Sequence, residues 1–226
     1  MRRLAAPLLM VLLSAAAANP QTDDFRHGLS RWRVEAEAPS RVTAQDGVMD
    51  IDAPKGISIW WTGELTGPVA IEYEVMAVSE GGPNDAVSDV NALWMATDPA
   101  APTGSPLAHP RSGAFADYDT LRTYYVGIGG NRNTTTRMRR YLGEPGNRPL
   151  LPEHDRADPA AMLVPNRWTA MRVAAEGGRI TVDFGRKRLF TMNDTAPYSR
   201  GWFALRTTKS HLRIRNFRIV SLEPGH

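Results

Sequence analysis

The segment Leu121–Asp155, LRTYYVGIGGNRNTTTRMRRYLGEPGNRPLLPEHD, holds the residue types needed for proton transfer on an anionic substrate. Arg122, Arg132, Arg137, Arg139, Arg140 and Arg148 surround the pair Tyr124–Tyr125 and the asparagines Asn131 and Asn133. Like charges repel at short range, so such a gathering favours an anion among them. Arginine's planar fork grips a carboxylate with two parallel hydrogen bonds. The set suits β-elimination from a uronate. That reaction neutralises the carboxylate, removes the proton beside it and protonates the leaving oxygen. Arg122, Asn131, Asn133, Arg137 and Arg139 would read the carboxylate. Tyr125 would be the acid or acid/base, its phenol pulled down by the arginines. His154 would be the base or a groove contact, with His211 as a further base. Tyr124 then falls on the opposite strand face, towards the core. The plainer alternatives are a solvated, arginine-rich strand pair and a loop histidine bonded to Asp155 or backbone.

Carboxylates offer a rival chemistry. Glycoside hydrolysis needs two of them across the scissile bond. Glu72 and Glu74 share one strand face, and Asp85, Asp89 and Asp98 flank Trp94, so Asp89 or Glu72 would carry a hydrolase. Asp89 is also a candidate substrate contact. Asn84, Asp85, Asp89 and Asn91 are hard oxygen donors of the kind calcium takes, with turn and strand-edge roles as the alternative. No cofactor or other metal is expected. Trp60 and Trp94 would be sugar-stacking platforms, with core packing as the alternative. Trp32, Trp168 and Trp202 are assigned to the core. Gly127-Ile128-Gly129-Gly130 has no helix after it to hold a phosphate, so it reads as a strand bend.

The chain has 226 residues, 42% of them hydrophobic, and no cysteine. Residues 1–18 read as a secretory signal: Arg2 and Arg3, an apolar run from Leu4 to Leu13, then Ala16-Ala17-Ala18. The paired arginines lack the rest of a twin-arginine pattern, so ordinary secretion is expected. The apolar run is too short to span a bilayer. A periplasmic or extracellular protein without stable membrane insertion is expected, stabilised by its core and not by disulfides. Losing Arg2 and Arg3 would take the formal charge from +3 to +1. The distribution says more. Asp23–Asp98 holds fourteen acids and five bases, whereas Arg186–Arg218 holds nine bases and one acid. Such asymmetry fits a directed field and an acidic ligand. No helix-turn-helix, zinc or RNP pattern supports nucleic acid.

Positioning falls to strands. Alternating or apolar runs occur at 31–35, 48–51, 57–61, 69–78, 89–96, 121–128, 138–141, 168–175, 179–184, 187–192, 201–207 and 211–221, separated by Gly and Pro turns. Thr97–Arg111 reads as an irregular excursion and Gly143–Asp158 as a Pro-rich loop. The alternation slips at Asn216–Phe217, which predicts a bulge. About a dozen short strands imply an all-β, two-sheet antiparallel jelly-roll sandwich. With no linker or repeat, residues 19–226 form one domain.

Trp60-Trp61, Ser88–Ala96 (SDVNALWMA), Tyr124–Arg140, Arg148–Asp155 (RPLLPEHD) and Gly201-Trp202-Phe203 carry a resemblance that runs from about Asp23 to Leu222. The chain resembles a family of exported bacterial proteins of unknown function with a concanavalin A-like jelly-roll fold. The resemblance implies that fold and an association with polysaccharide degradation; it supplies no catalytic residue. Together with the residues above, it leads to an expectation of a lyase acting on an acidic polysaccharide or oligosaccharide. A hydrolase of the same fold and a non-catalytic carbohydrate-binding module are the alternatives.

Overall fold

The computed structural model describes residues 21–222; the expected secretory signal lies outside them. Sixteen strands run in chain order: β1 (Gln21–Asp23), β2 (Trp32–Ala36), β3 (Arg41–Gln45), β4 (Val48–Ala53), β5 (Ile57–Trp61), β6 (Leu65–Thr66), β7 (Val69–Ala77), β8 (Val90–Thr97), β9 (Arg122–Gly129), β10 (Thr135–Leu142), β11 (Asp155–Arg156), β12 (Thr169–Glu176), β13 (Arg179–Phe184), β14 (Lys187–Asn193), β15 (Arg200–Thr207) and β16 (Ser210–Ser221). They pair antiparallel in two sheets. The back sheet has the order β14-β13-β12-β7-β16-β4-β3, with β1 beside β16; the front sheet has the order β11-β10-β9-β8-β15-β5-β2, with β6 beside β15. This is the jelly-roll sandwich that the alternation implies. The slip at Asn216 is a register shift between Arg215 and Arg218 on β16, with Asn216 at φ 56°. No helix of the described residues is long and apolar enough to cross a membrane.

The inner faces meet in one core. Trp32, Trp61, Trp94, Tyr124, Val126 and Phe203 come from the front, and Ile71, Tyr73, Val173, Val182, Ile214 and Phe217 from the back. A second apolar cluster lies on the other side of the front sheet. There Trp60, Leu93, Tyr125, Tyr141, Trp202 and Ala204 pack under Tyr118, Leu121, Leu107 and Phe115 of the excursion between β8 and β9. Both parities of β5 are therefore buried. The excursion is tied down at Glu35, whose carboxylate accepts from Trp60 Nε1 (2.9 Å), Tyr118 Oη (3.0 Å) and the Arg111 backbone N–H (3.0 Å).

Candidate functional site

The register of the front sheet decides which side chains meet. Arg139 pairs across from Tyr125, and Tyr125 from Leu93. One row along, Asp155, Arg137, Gly127, Asn91, Arg206, Ser58 and Glu35 stand opposite one another in sequence from β11 to β2. Directly paired residues share a face, so Tyr125, Arg137, Arg139, Asn91 and Arg206 all lie on the outer face of this sheet.

Tyr125 is 7% exposed. Its hydroxyl crosses Gly127 and donates to Asn91 Oδ1 at 3.0 Å. A side chain on Gly127 would collide with that phenol, because a Cβ there would sit 2.5 Å from Tyr125 Oη and 2.6 Å from Asn91 Oδ1. Asn91 is itself held: its Nδ2 donates to Asp89 Oδ2 at 2.9 Å, and Asp89 Oδ1 accepts from the N–H and Oγ1 of Thr208. The phenol is not activated as the arginine run implies. Burial pushes its pKa well above the usual value, helped by Asp89 and Tyr141, and Arg206 and Arg139 only partly oppose this. Tyr125 stays protonated at neutral pH.

Arg206 is buried, 2% exposed. Its Nη1 donates to Ser58 Oγ (3.0 Å) and to the Gly113 carbonyl (2.8 Å), while Nε and Nη2 have no partner. The guanidinium stacks on Phe115 and Tyr118, at 5.1 and 4.9 Å from the ring centroids, and forms no ion pair among the described residues. Tyr141, stacked on Tyr125 at 5.5 Å, is fully buried with its hydroxyl unpaired. Burial pushes its pKa up to about 12 against the pull of Arg148, Arg139 and Arg206. Arg139, partly exposed, donates Nη1 to the Arg148 carbonyl and also has no acidic partner among the described residues. Arg148 grips Asp119 in a bidentate pair (2.7 and 2.9 Å) and stacks over Phe115 at 4.4 Å. Two arginines without carboxylates and an orphan hydroxyl thus converge around Tyr125.

Other expected site residues fall elsewhere. Trp60 is fully buried under the excursion and Trp94 fully buried between the sheets, so neither presents a face to a sugar. Arg122 is exposed at the start of β9, two residues before Tyr124 and on its face, opposite to that of Tyr125. Asn131 and Asn133 belong to a left-handed turn in which Gly129, Asn131, Arg132 and Asn133 all have positive φ. Asn133 staples that turn to Leu163, donating to its carbonyl and accepting from its N–H at 2.9 Å each. Asn131 donates to Thr135. Arg137 is bidentate with Asp155 (2.9 and 3.3 Å), so its charge is already matched. His154 is 2% exposed, packed edge-on against Phe190 of the back sheet and within 3.2 Å of the Thr191 carbonyl. It points into the sandwich, away from Tyr125. Trp168 is not a core residue: it is half-buried on the outer face of the back sheet, with Arg215 stacked on it at 4.2 Å.

The rival carboxylates do not pair. Glu72 is on the back sheet between Arg172 (3.2 Å) and Arg218 (2.5 Å), whereas Asp89 adjoins the front sheet. Of the calcium donors, Asn84 donates to Asp52, and Asp85 accepts from the Glu80 and Gly82 N–H groups and meets His211. No group of three His, Cys, Asp or Glu among the described residues is placed to hold a metal. An open groove of about 890 Å³ lies on the back sheet over Glu72, Glu74, Arg172, Asp183 and Arg218. The charges on its floor are matched to one another, while Arg186 at its lining has no acidic partner among the described residues; the front sheet differs in that its unmatched guanidinium, Arg206, is buried. Arg206 carried one sequence signal: it is the lone charge inside an apolar run, GWFALRT.

Solved structures share this architecture at low identity. A protein of unknown function with a galectin-like fold from Bacillus subtilis matches at TM-score 0.70 and 11% identity, over 91% of this chain and 97% of that one. The carbohydrate-binding module CBM66 from Bacillus subtilis matches at TM-score 0.58 and 10% identity, over 85% and 97%. A putative glycosyl hydrolase from Parabacteroides distasonis matches at TM-score 0.52 and 15% identity, over 89% and 98%. No curated protein sequence matches the chain. Residues 51–217, most of the sandwich, match one family throughout, and the chain belongs to it: the domain of unknown function DUF6250.

Proposed function

We propose that this protein binds a carboxylate-bearing saccharide on the outer face of the front sheet. The observation that carries this reading is Arg206. A buried charge without a direct ion pair is held at a cost of up to several kcal/mol, roughly the effective desolvation penalty of an ion in a protein. Its Nε and Nη2 lack a partner and are closed off beneath Phe115 and Tyr118; once that segment moves aside, they are the two donors that meet a carboxylate in the bidentate fork geometry. Arg139 adds charge at the rim, and the Tyr141 hydroxyl adds a neutral donor. The names of the structural neighbours support a saccharide as the bearer of the acid group.

Elimination is a second reading, favoured by one feature. Tyr125 is kept protonated by burial, on the face that carries Arg137 and Arg139, as a proton donor to a leaving oxygen requires. The expected base, His154, faces the core instead. Hydrolysis has less support, because Glu72 and Asp89 belong to different sheets.

Calorimetry of the full chain with polygalacturonate, alginate and hyaluronan, against neutral glucans, tests the binding. Binding of acidic glycans alone, weakened by salt, is expected. Equal binding of neutral and acidic glycans would defeat the reading. The same mixtures, followed for the ultraviolet absorbance of an unsaturated uronate, test elimination. A product that persists in Tyr125→Phe would remove Tyr125 from that chemistry.

A further inference from the structure

We propose that the open groove on the back sheet is a second, separate site, which takes an acidic oligosaccharide with its acid group at Arg186. On the outer face of this sheet the register sets one row of alternating charge: Arg218, Glu72, Arg172, Asp183 and Arg188 stand opposite one another from β16 to β14. In the next row Glu74 pairs across from Ala170, and the Gly185 N–H donates to the Ala170 carbonyl at 2.8 Å. Ala170 is exposed. Its neighbours Glu74 and Arg172 carry long side chains, whereas Ala170 and Gly185 carry almost none. The groove of about 890 Å³ opens over them.

The floor suits hydroxyl groups. Glu72 lies between Arg172 and Arg218, and Glu74 pairs with Arg215 at 2.9 Å. Guanidinium and carboxylate groups have more donors and acceptors than one ion pair uses, so this floor can both donate to and accept from sugar hydroxyls. Because its charges are matched, it does not select an acid. The lip does. Gly185-Arg186 is the turn between β13 and β14, and it borders both the groove and an adjoining hollow of about 340 Å³. Arg167, Arg186 and Lys187 line that hollow, all exposed, and no acid lines it. None of these cations forms an ion pair among the described residues. Gathered without a carboxylate, they repel one another and favour an anion among them. A carboxylate or sulfate on the sugar at the Gly185 end of the groove supplies it. These cations face water and salt, so this is the weaker of the two sites.

Calorimetry of the full chain with oligogalacturonates, sulfated galactan oligosaccharides and neutral glucan oligosaccharides tests the site. The front sheet is first silenced by Arg206→Met. Acidic oligosaccharides should still bind that variant, and whether the carboxylated or the sulfated ones do so names the acid group. Adding Arg186→Ser and Lys187→Ser should weaken the remaining binding about tenfold or more, the scale of a lost charged hydrogen bond. Adding Ala170→Trp instead, which fills the groove from an exposed position, should abolish it. Thermal unfolding shows that each variant is folded. Loss of all binding in Arg206→Met alone would overturn the groove site and leave the front-sheet reading intact. Remaining binding that either added change leaves unaltered, or that neutral oligosaccharides share equally, would also overturn it. Failure of every acidic oligosaccharide to bind the unaltered protein would overturn both sites.

Discussion

Glu35 ties the excursion to the front sheet, and replacing it tests whether that segment is a fixed part of the fold. Its carboxylate accepts three hydrogen bonds, two of them from fully buried partners, Trp60 and Tyr118. Glu35→Ala strands all three donors. A buried donor left unsatisfied costs about 1–3 kcal/mol. Against this, the variant removes a buried charge and its desolvation penalty. The balance is a loss of about 3–5 kcal/mol. Glu35→Gln separates the contributions. Its amide oxygen can still receive Trp60 and Tyr118, both of which bond Oε2. Its amide nitrogen would then face the Arg111 N–H, donor against donor. That variant should lose only about 1–2 kcal/mol. In a domain of this size 1 kcal/mol moves Tm by about 2–4 °C, so Glu35→Ala should fall by about 10 °C and Glu35→Gln by a few degrees. Urea unfolding and calorimetry give the stabilities. Limited proteolysis shows whether the segment between Asp98 and Leu121 becomes cleavable first. A loss below about 1 kcal/mol for Glu35→Ala, or a larger loss for Gln than for Ala, would refute the reasoning.

Arg206→Met should leave stability within about 1 kcal/mol, because an apolar side chain of similar length replaces a charge that lacks its counter-ion; acidic-saccharide affinity should fall more than about tenfold, the scale of a lost charged hydrogen bond, as calorimetry would show. Gly127→Ala should displace Tyr125 from Asn91 and lower stability by about 1–3 kcal/mol through overpacking, read by chemical unfolding. Asn133→Ala should cost about 2 kcal/mol, since it breaks both bonds to Leu163 and places alanine at a positive φ. Stability should be lost in acid. Burial pushes the Asp194 carboxyl up, but hydrogen bonds from Tyr124, the Ala196 N–H and Arg140 outweigh it and hold the pKa below the usual value. In Asp85, burial is likewise outweighed by the Glu80 and Gly82 N–H groups and His211. A depressed carboxylate contributes its full stability above its unfolded pKa of 3.8 and loses it as pH falls through the folded value. Tm should therefore drop steeply below about pH 4, and Asp194→Asn should flatten that drop.

The strands were legible because their signal is local. Period-two alternation and Gly or Pro turns need only neighbouring residues, and twelve of the sixteen strands follow them. The four without such a signal, β1, β3, β6 and β11, are short or edge pieces that exist because a partner strand is already present. The placement of Tyr125, Arg137 and Arg139 on one face also follows from alternation with a single turn between strands.

Burial was not legible. Alternation separates the two faces of a strand but does not say what covers each. In β5, β8 and β9 both faces are buried, because the excursion builds a second cluster on the outer one. Trp60 therefore resembles an exposed platform in sequence and is a buried residue in the fold. The Tyr125 phenol shows the same limit. Nearby arginines can be counted in sequence, but the loss of water that raises its pKa depends on Phe115 and Tyr141 packing against it. Ion pairing is equally non-local. Arg137 is neutralised by Asp155 across 18 residues, and Arg206 reaches Ser58 across 148 and Gly113 across 93. The sequence by itself determined which residues alternate and where the chain turns, since those depend on backbone geometry within a strand. Only the tertiary structure decided which arginines keep an unmatched charge, because a charge is matched or unmatched by what distant segments bring beside it.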